Sequence, residues 1–166
     1  MPDTNSLQFS ERYHRLADEL REGPYTLDQL EIRYKRLTNA ATGPNQAVEA
    51  RLLWAQALIA NRRFGPALST LGEARSFAPG QIQQGMIDAL TAKTILLMDQ
   101  PRESLPYITA ALRLLAPWPE SNETRMARAL NSEIAWRVKY PNPGRLRRLG
   151  HFFTKSSYRL MVAEVV

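Results

Sequence analysis

The sequence predicts an all-α fold built from antiparallel helix pairs, with a basic segment at its C-terminal end. Three observations predict it. Apolar residues recur at intervals of three and four along nearly the whole chain, the spacing of a helix face. Small residues recur 37 positions apart, at Ala55, Ala92 and Ala129, and again at Ala74 and Ala111. Turn-forming residues punctuate the periodic runs, at Gly23-Pro24, in NAATGPNQ, at Asn61-Arg62-Arg63 and at Pro79-Gly80.

The first helix is expected over about 6–22, where Phe9, Tyr13, Leu16 and Leu20 share one face and Glu11, Arg12, Asp18 and Glu19 lie elsewhere. Gly23-Pro24 ends it. The second runs over about 26–38: Thr26 followed by Gln29 reads as a capping box, and Leu27, Leu30, Tyr34 and Leu37 form the stripe. The third, about 47–61, carries Leu53, Trp54, Ala57 and Leu58. The fourth follows the turn at 61–63, with Pro66 tolerated in its first turn and Phe64, Ala67, Leu68, Leu71 and Ala74 on one side up to Pro79-Gly80.

The same plan recurs. A fifth helix carries Ile87, Leu90, Ile95 and Leu96, and a sixth carries Leu105, Ile108, Ala111, Leu112 and Leu115. Pro106 falls five residues into the sixth, so it either strains that turn or moves the start of the helix later. A last helix is expected over about 121–139, with Met126, Leu130, Ile134 and Val138 at helical spacing. Residues 1–140 thus read as one helical domain and 141–166 as a separate tail.

A chain of 166 residues with 44% hydrophobic and 23% charged residues has the composition of a single globular domain with a real core. It contains no cysteine, which removes disulfides, thiolate metal ligands and thiol nucleophiles together. The opening MPDTNSLQFSERYHRLADELREG is polar and acidic where a secretory signal has a basic start and an apolar run, and no stretch reaches the ~18 apolar residues of a membrane span. The expectation is a cytoplasmic protein.

Residue types that carry chemistry are sparse. His14 and His151 are the only histidines and lie far apart, with His14 expected on a helix surface. The eight glycines read as turn and cap residues, without the spacing of a phosphate-cradling loop. The acidic run Glu11, Asp18, Glu19 and Glu22 reads as a solvated helix face. No cofactor, metal site or catalytic residue is expected, and the chain is not read as an enzyme.

Charge is unevenly placed. The net charge is +6, yet residues 1–133 hold 15 basic and 15 acidic side chains, so the whole excess lies in 134–166, with seven basic residues against Glu164 alone. In the tail, Arg145, Arg147, Arg148, Lys155 and Arg159 interleave with Leu146, Leu149, Phe152, Phe153, Tyr158 and Leu160. Three readings stay open: the tail docks on the helices as a cap, its cations meet nucleic-acid phosphates with aromatics available for stacking, or it meets an anionic membrane surface or acidic partner.

The recurring positions resemble the tetratricopeptide repeat, a helix-turn-helix unit of about 34 residues with small residues at fixed places and a closing proline. Residues 48–79 carry the resemblance best, with Trp54 and Ala55, Leu58, Phe64, Ala67, Leu71, Ala74 and Pro79 at the family's positions. Residues 85–117 follow with Ala92, Ile95, Ser104, Ile108 and Ala111, but Pro101 stands where an aromatic is usual; residues 9–38 match in outline. The resemblance implies a short right-handed superhelix whose concave surface comes mainly from the first helix of each pair. It also implies a non-catalytic adaptor, assembly factor or chaperone that binds a protein or peptide; apart from the resemblance, a homo-oligomer is left open. The contact residues expected on that surface are Arg51, Gln56, Asn61, Gln83, Gln84, Asp88 and Lys93. Leu52, Gln56 and Leu90 stand where the family's carboxylate clamp has Lys and Asn, so binding of a partner's C-terminal carboxylate is not implied. Chain length and repeat count are also similar to the tetratricopeptide chaperones of type III secretion. A nucleic-acid-associated regulatory protein using the basic tail is the alternative reading.

Overall fold

The computed structural model describes residues 4–22, 26–77 and 80–141, and every regular element among them is an α-helix. In chain order these are α1 (Thr4–Glu22), α2 (Leu27–Ala40), α3 (Pro44–Ala60), α4 (Phe64–Ser76), α5 (Gln81–Leu97), α6 (Pro101–Leu115) and α7 (Asn122–Lys139). The tail residues Arg145, Arg147, Arg148, Lys155 and Arg159 lie outside the described residues, as do Gly23, Pro24 and Pro79.

Local chemistry sets the boundaries. Thr26 accepts from the Gln29 N–H while the Gln29 side chain accepts from the Thr26 N–H, so both partners of the expected capping box are in place. Pro44 opens α3 three residues earlier than the apolar pattern suggests, because proline suits a first turn that has no use for its N–H. Ser121 caps α7 by accepting from Thr124 N at 3.2 Å. Pro106 does not delay α6: the helix begins at Pro101 and carries Pro106 within it, on an exposed side.

The 37-residue recurrence governs the backbone. Helices α2, α4 and α6 begin at Leu27, Phe64 and Pro101, each 37 residues after the last, and α3 and α5 begin and end 37 apart. The turns between α3 and α4 and between α5 and α6 are built alike. Asn61 N–H donates to Ala57 O and Met98 N–H to Thr94 O; Arg63 N–H donates to Leu58 O and Gln100 N–H to Ile95 O. At the centre of each turn stands a residue in the left-handed region, Arg62 (φ 57°) and Asp99 (φ 65°).

Packing follows the same plan. Each helix packs on the next, so short loops make antiparallel hairpins of α1 with α2, α3 with α4, and α5 with α6. The odd-numbered helices also pack on one another in series, α1 on α3, α3 on α5 and α5 on α7, whereas α2, α4 and α6 do not touch. Helices α3 and α5 are therefore enclosed on nearly all sides and form the centre of the core, with Val48, Leu53, Leu58, Ile87, Leu90 and Leu96 buried.

Small residues sit where helices come close. Ala55, Ala67, Ala74, Ala92, Ser104 and Ala111 are all fully buried. Ala129 departs from this series and is exposed, because no described helix follows α7 to cover that side. Gly85 corrects the view of the glycines as turn and cap residues only. It is buried inside α5, and a Cβ there would lie 2.7 Å from Leu115 Cγ.

Candidate functional site

Four of the seven residues expected on the exposed sides of α3 and α5 are spent between helices: Arg51, Gln84 and Asp88 against the end of α4, and Lys93 against α7. Arg51 is only 18% exposed at its side chain. Its guanidinium lies over the Phe77 ring at 4.3 Å, its Nη1 donates to Ala47 O at 3.0 Å, and Nε stands 3.6 Å from Glu73 Oε2. Cation, ring and carboxylate together pin the end of α4 to α3. Tyr34 stacks on Trp54 beside this group, with ring centroids 5.0 Å apart and planes 6° from parallel. Burial raises the Tyr34 hydroxyl above its ordinary pKa; Arg51 opposes that shift and Glu73 adds to it.

Asp88 corrects the expectation most sharply. Its spacing predicts an open face, and it is instead a buried side chain, 6% exposed, ion-paired to Arg75 of α4. The Gln84 amide, oriented with its oxygen toward Arg75, accepts from Nη1 at 2.6 Å and from Nη2 at 3.2 Å. Sequence periodicity misses Arg75, because a helix-surface arginine looks solvated until its partner on the next helix is known. Asp88 lies on the side of α5 turned to α4, so the carboxylate enters the core only because Arg75 and Gln84 follow it.

Lys93 belongs to a second cluster, between α5 and α7. It is half-buried, and burial brings its amine down from 10.5 to about 8, with Glu133 acting in the opposite direction. Glu133 accepts from Arg137 Nη2 at 2.7 Å, and Arg137 Nη1 reaches the α5 carbonyl Leu96 O at 3.4 Å. Asn61 is exposed, and its Nδ2 donates to Ala57 O at 2.8 Å, closing the end of α3. Gln83 is half-buried and accepts from the Gly80 N–H at the start of α5.

Gln56 alone of the expected contact residues has a side chain not engaged by another described residue. It is half-buried on α3 in a strip with Asn45, Glu49 and Ala60, which are exposed. The strip is legible in the sequence as positions four and seven apart, yet the repeat pattern points to Arg51 rather than to Asn45 and Glu49. Glu49 lies near Tyr13 of α1, whose hydroxyl is pushed up to about 12 by burial first and by the Glu49 charge second. Partial burial raises the Glu49 carboxyl in turn, although the residue as a whole is exposed. His14 is exposed on α1 as expected, its ring edge-on to Tyr13 at 5.9 Å. Among the described residues, no three His, Asp or Glu side chains gather as a metal site, and no helix is long and apolar enough to cross a membrane.

The described residues define an all-α protein, a layered array of helical hairpins with a polar strip on α3. Comparison with protein-family models, with curated proteins and with solved structures finds no match to this chain.

Proposed function

We propose that the chain is a non-catalytic protein-binding scaffold, an adaptor, assembly factor or chaperone of tetratricopeptide type, which engages a partner segment along the α3 strip of Asn45, Glu49, Gln56 and Ala60. The observation that supports this reading is the arrangement of the odd-numbered helices. They pack in an unbroken series, and α3 keeps Asn45, Glu49 and Ala60 exposed and Gln56 half-exposed along one side while its other sides are enclosed. Such a line offers hydrogen-bonding amides and one carboxylate on a rigid support, the composition of a surface that reads an extended peptide or a helix rather than a small metabolite.

The test replaces Asn45 and Gln56 with tryptophan, singly and together, to fill the strip without touching the core. Partners captured by the full chain from lysate are compared quantitatively with those of each variant and of Arg113→Ala, an exposed change on α6. Nuclease treatment removes partners bridged by nucleic acid. Selective loss of a nuclease-resistant protein from the tryptophan variants supports the reading. An unchanged partner set in variants whose helical signal and melting match the parent overturns it.

A further inference from the structure

We infer that the edge of the array where α3, α5 and α7 end is a binding surface for a single-stranded nucleic acid. The three helices finish at Ala60, Leu97 and Lys139. The bond from Arg137 to Leu96 O ties the last turn of α7 to that of α5, and α5 packs on α3. The turns Asn61–Arg63 and Met98–Gln100 and the exit at Tyr140 therefore share one edge. Arg62, Arg63, Arg102 and Lys139 are exposed there, and no ion pair between described residues engages the three arginines. The acids on α6 and the turn before it at this edge are Asp99 and Glu103, and Asp28 is exposed at the equivalent start of α2.

Helices in contact lie about 8–10 Å apart, so cations carried on three of them are spread over about 20 Å. Charges spaced that widely are screened from one another at physiological salt and cannot converge on one small anion. A polymer with an anion at every repeat meets them in series, and each contact releases a counterion.

Two further features favour nucleic acid over an acidic protein. The basic side chains of the chain are 18 Arg and 4 Lys, and a guanidinium matches phosphate with a planar fork and stacks on bases. Tyr140 is exposed at this edge with Trp136 beside it, centroids 5.8 Å apart, and Lys139 lies over the Tyr140 ring. An aromatic pair flanked by cations is the combination on which unpaired bases stack.

The experiment measures fluorescence anisotropy of labelled oligo-U and oligo-dT of about 16 nucleotides with the full chain, from about 50 to about 200 mM salt. The expected result is binding to both whose logarithm falls linearly with log salt. Arg62→Gln, Arg63→Gln and Arg102→Gln together should weaken it about tenfold and reduce the slope by about 2, at about 0.7 per phosphate lost. All three side chains are exposed, so melting should not change. A Tyr140→Ala variant should lose affinity with no change in slope, which a purely ionic contact would not show.

Three results overturn the inference: no salt-dependent binding to either oligomer, an unchanged affinity in the triple variant while Arg145→Gln, Arg147→Gln and Arg148→Gln abolish binding, or competition by polyglutamate or phosphatidylserine vesicles as effective as that by unlabelled oligomer. Tryptophan at Asn45 and Gln56 leaves this edge untouched, so failure here and failure of the protein-scaffold reading are told apart.

Discussion

Replacing Gly85 with alanine tests how tightly α5 lies against α6. A Cβ at this position would stand 2.7 Å from Leu115 Cγ, 2.9 Å from Cδ2 and 3.3 Å from Cδ1. Leu115 is the last residue of α6 and is fully buried, so the new methyl meets the branch point of a confined side chain. In an open helix, glycine to alanine gains about 0.5–1 kcal/mol from backbone entropy. Forcing a methyl into a packed core costs about 1–3 kcal/mol. The core term wins, and Gly85→Ala is expected to destabilise the chain by about 1 kcal/mol in urea unfolding followed by far-UV circular dichroism. Gly72→Ala provides the reference: that glycine is exposed inside α4 with nothing within 4 Å of its Cβ position, so the same change should stabilise. Leu115→Ala alone should cost about 2–5 kcal/mol, and the double variant less than the sum, because the added methyl fills part of the space the leucine leaves. Equal stabilisation by Gly85→Ala and Gly72→Ala would refute the close approach of the two helices.

Three other expectations follow from the same geometry. Arg62→Gly and Asp99→Gly should each stabilise, Arg62→Gly by about 1 kcal/mol and Asp99→Gly by less, since aspartate tolerates the left-handed region better; no gain in the urea midpoint for either would show that the turns are unstrained. Arg75→Ala should cost more than an exposed arginine normally does, about 1–3 kcal/mol, because Asp88 is left buried, and adding Asp88→Leu should recover part of that loss; simple additivity of the two would argue against their pairing. Lys93 binds its proton less readily folded, at about 8, than its ordinary 10.5, so above pH 8 the unfolded chain holds more protons and stability contributed at this site rises with pH. Below pH 8 both states are protonated and the penalty is constant. The rise should be read between about pH 8 and 10, since Tyr13, pushed up to about 12, contributes a fall of opposite sign above 10; Lys93→Met should remove the rise, and its persistence would assign it elsewhere.

The fold is legible in the sequence to the extent that it depends on one helix at a time or on a repeated neighbour. The faces of α1 to α7 are readable because a helix buries residues at intervals of three and four whatever it packs against, and residues such as Leu16, Leu53, Leu90, Ile108 and Ile134 are buried as that rule requires. The small residues Ala55 and Ala92 are readable because the same inter-helix approach occurs at each. Ala129 misleads for the same reason in reverse: the period carries over, but the helix that would cover it is not among the described ones. The candidate site is less legible. Arg51, Gln84 and Asp88 have the spacing of solvent-facing residues on their own helices. Only the positions of Glu73, Arg75 and Phe77 at the end of α4, a different helix, decide that they face protein instead.

Arg51 and Asp88 stand 37 residues apart, at the same position of successive hairpins, and carry opposite charges. Each is answered from the same short stretch at the end of α4: Arg51 by Glu73 and Phe77, Asp88 by Arg75. The backbone therefore repeats while the chemistry at the repeated position inverts, and the end of α4 becomes the joint that both neighbouring odd helices grip. A surface made by repetition would present the same group at each unit and bind a partner that repeats in turn. Here the repeated position is consumed in closing the array, so recognition must rest on side chains that the period does not generate. Those are the α3 strip, whose equivalents on α5 are apolar at three of four positions, Ile82, Met86 and Leu97, and the basic edge, where Arg62 and Arg63 have Asp99 and Gln100 as their equivalents one period later. Exchanging Arg62-Arg63 for Asp-Gln would make the two turns alike in sequence while leaving the hairpins intact. If the edge rather than the fold carries the nucleic-acid contact, that exchange, which changes the local charge by as much as the triple glutamine variant, weakens oligonucleotide binding about tenfold with the melting curve unchanged, whereas a loss of structure would show that the arginines serve the turn.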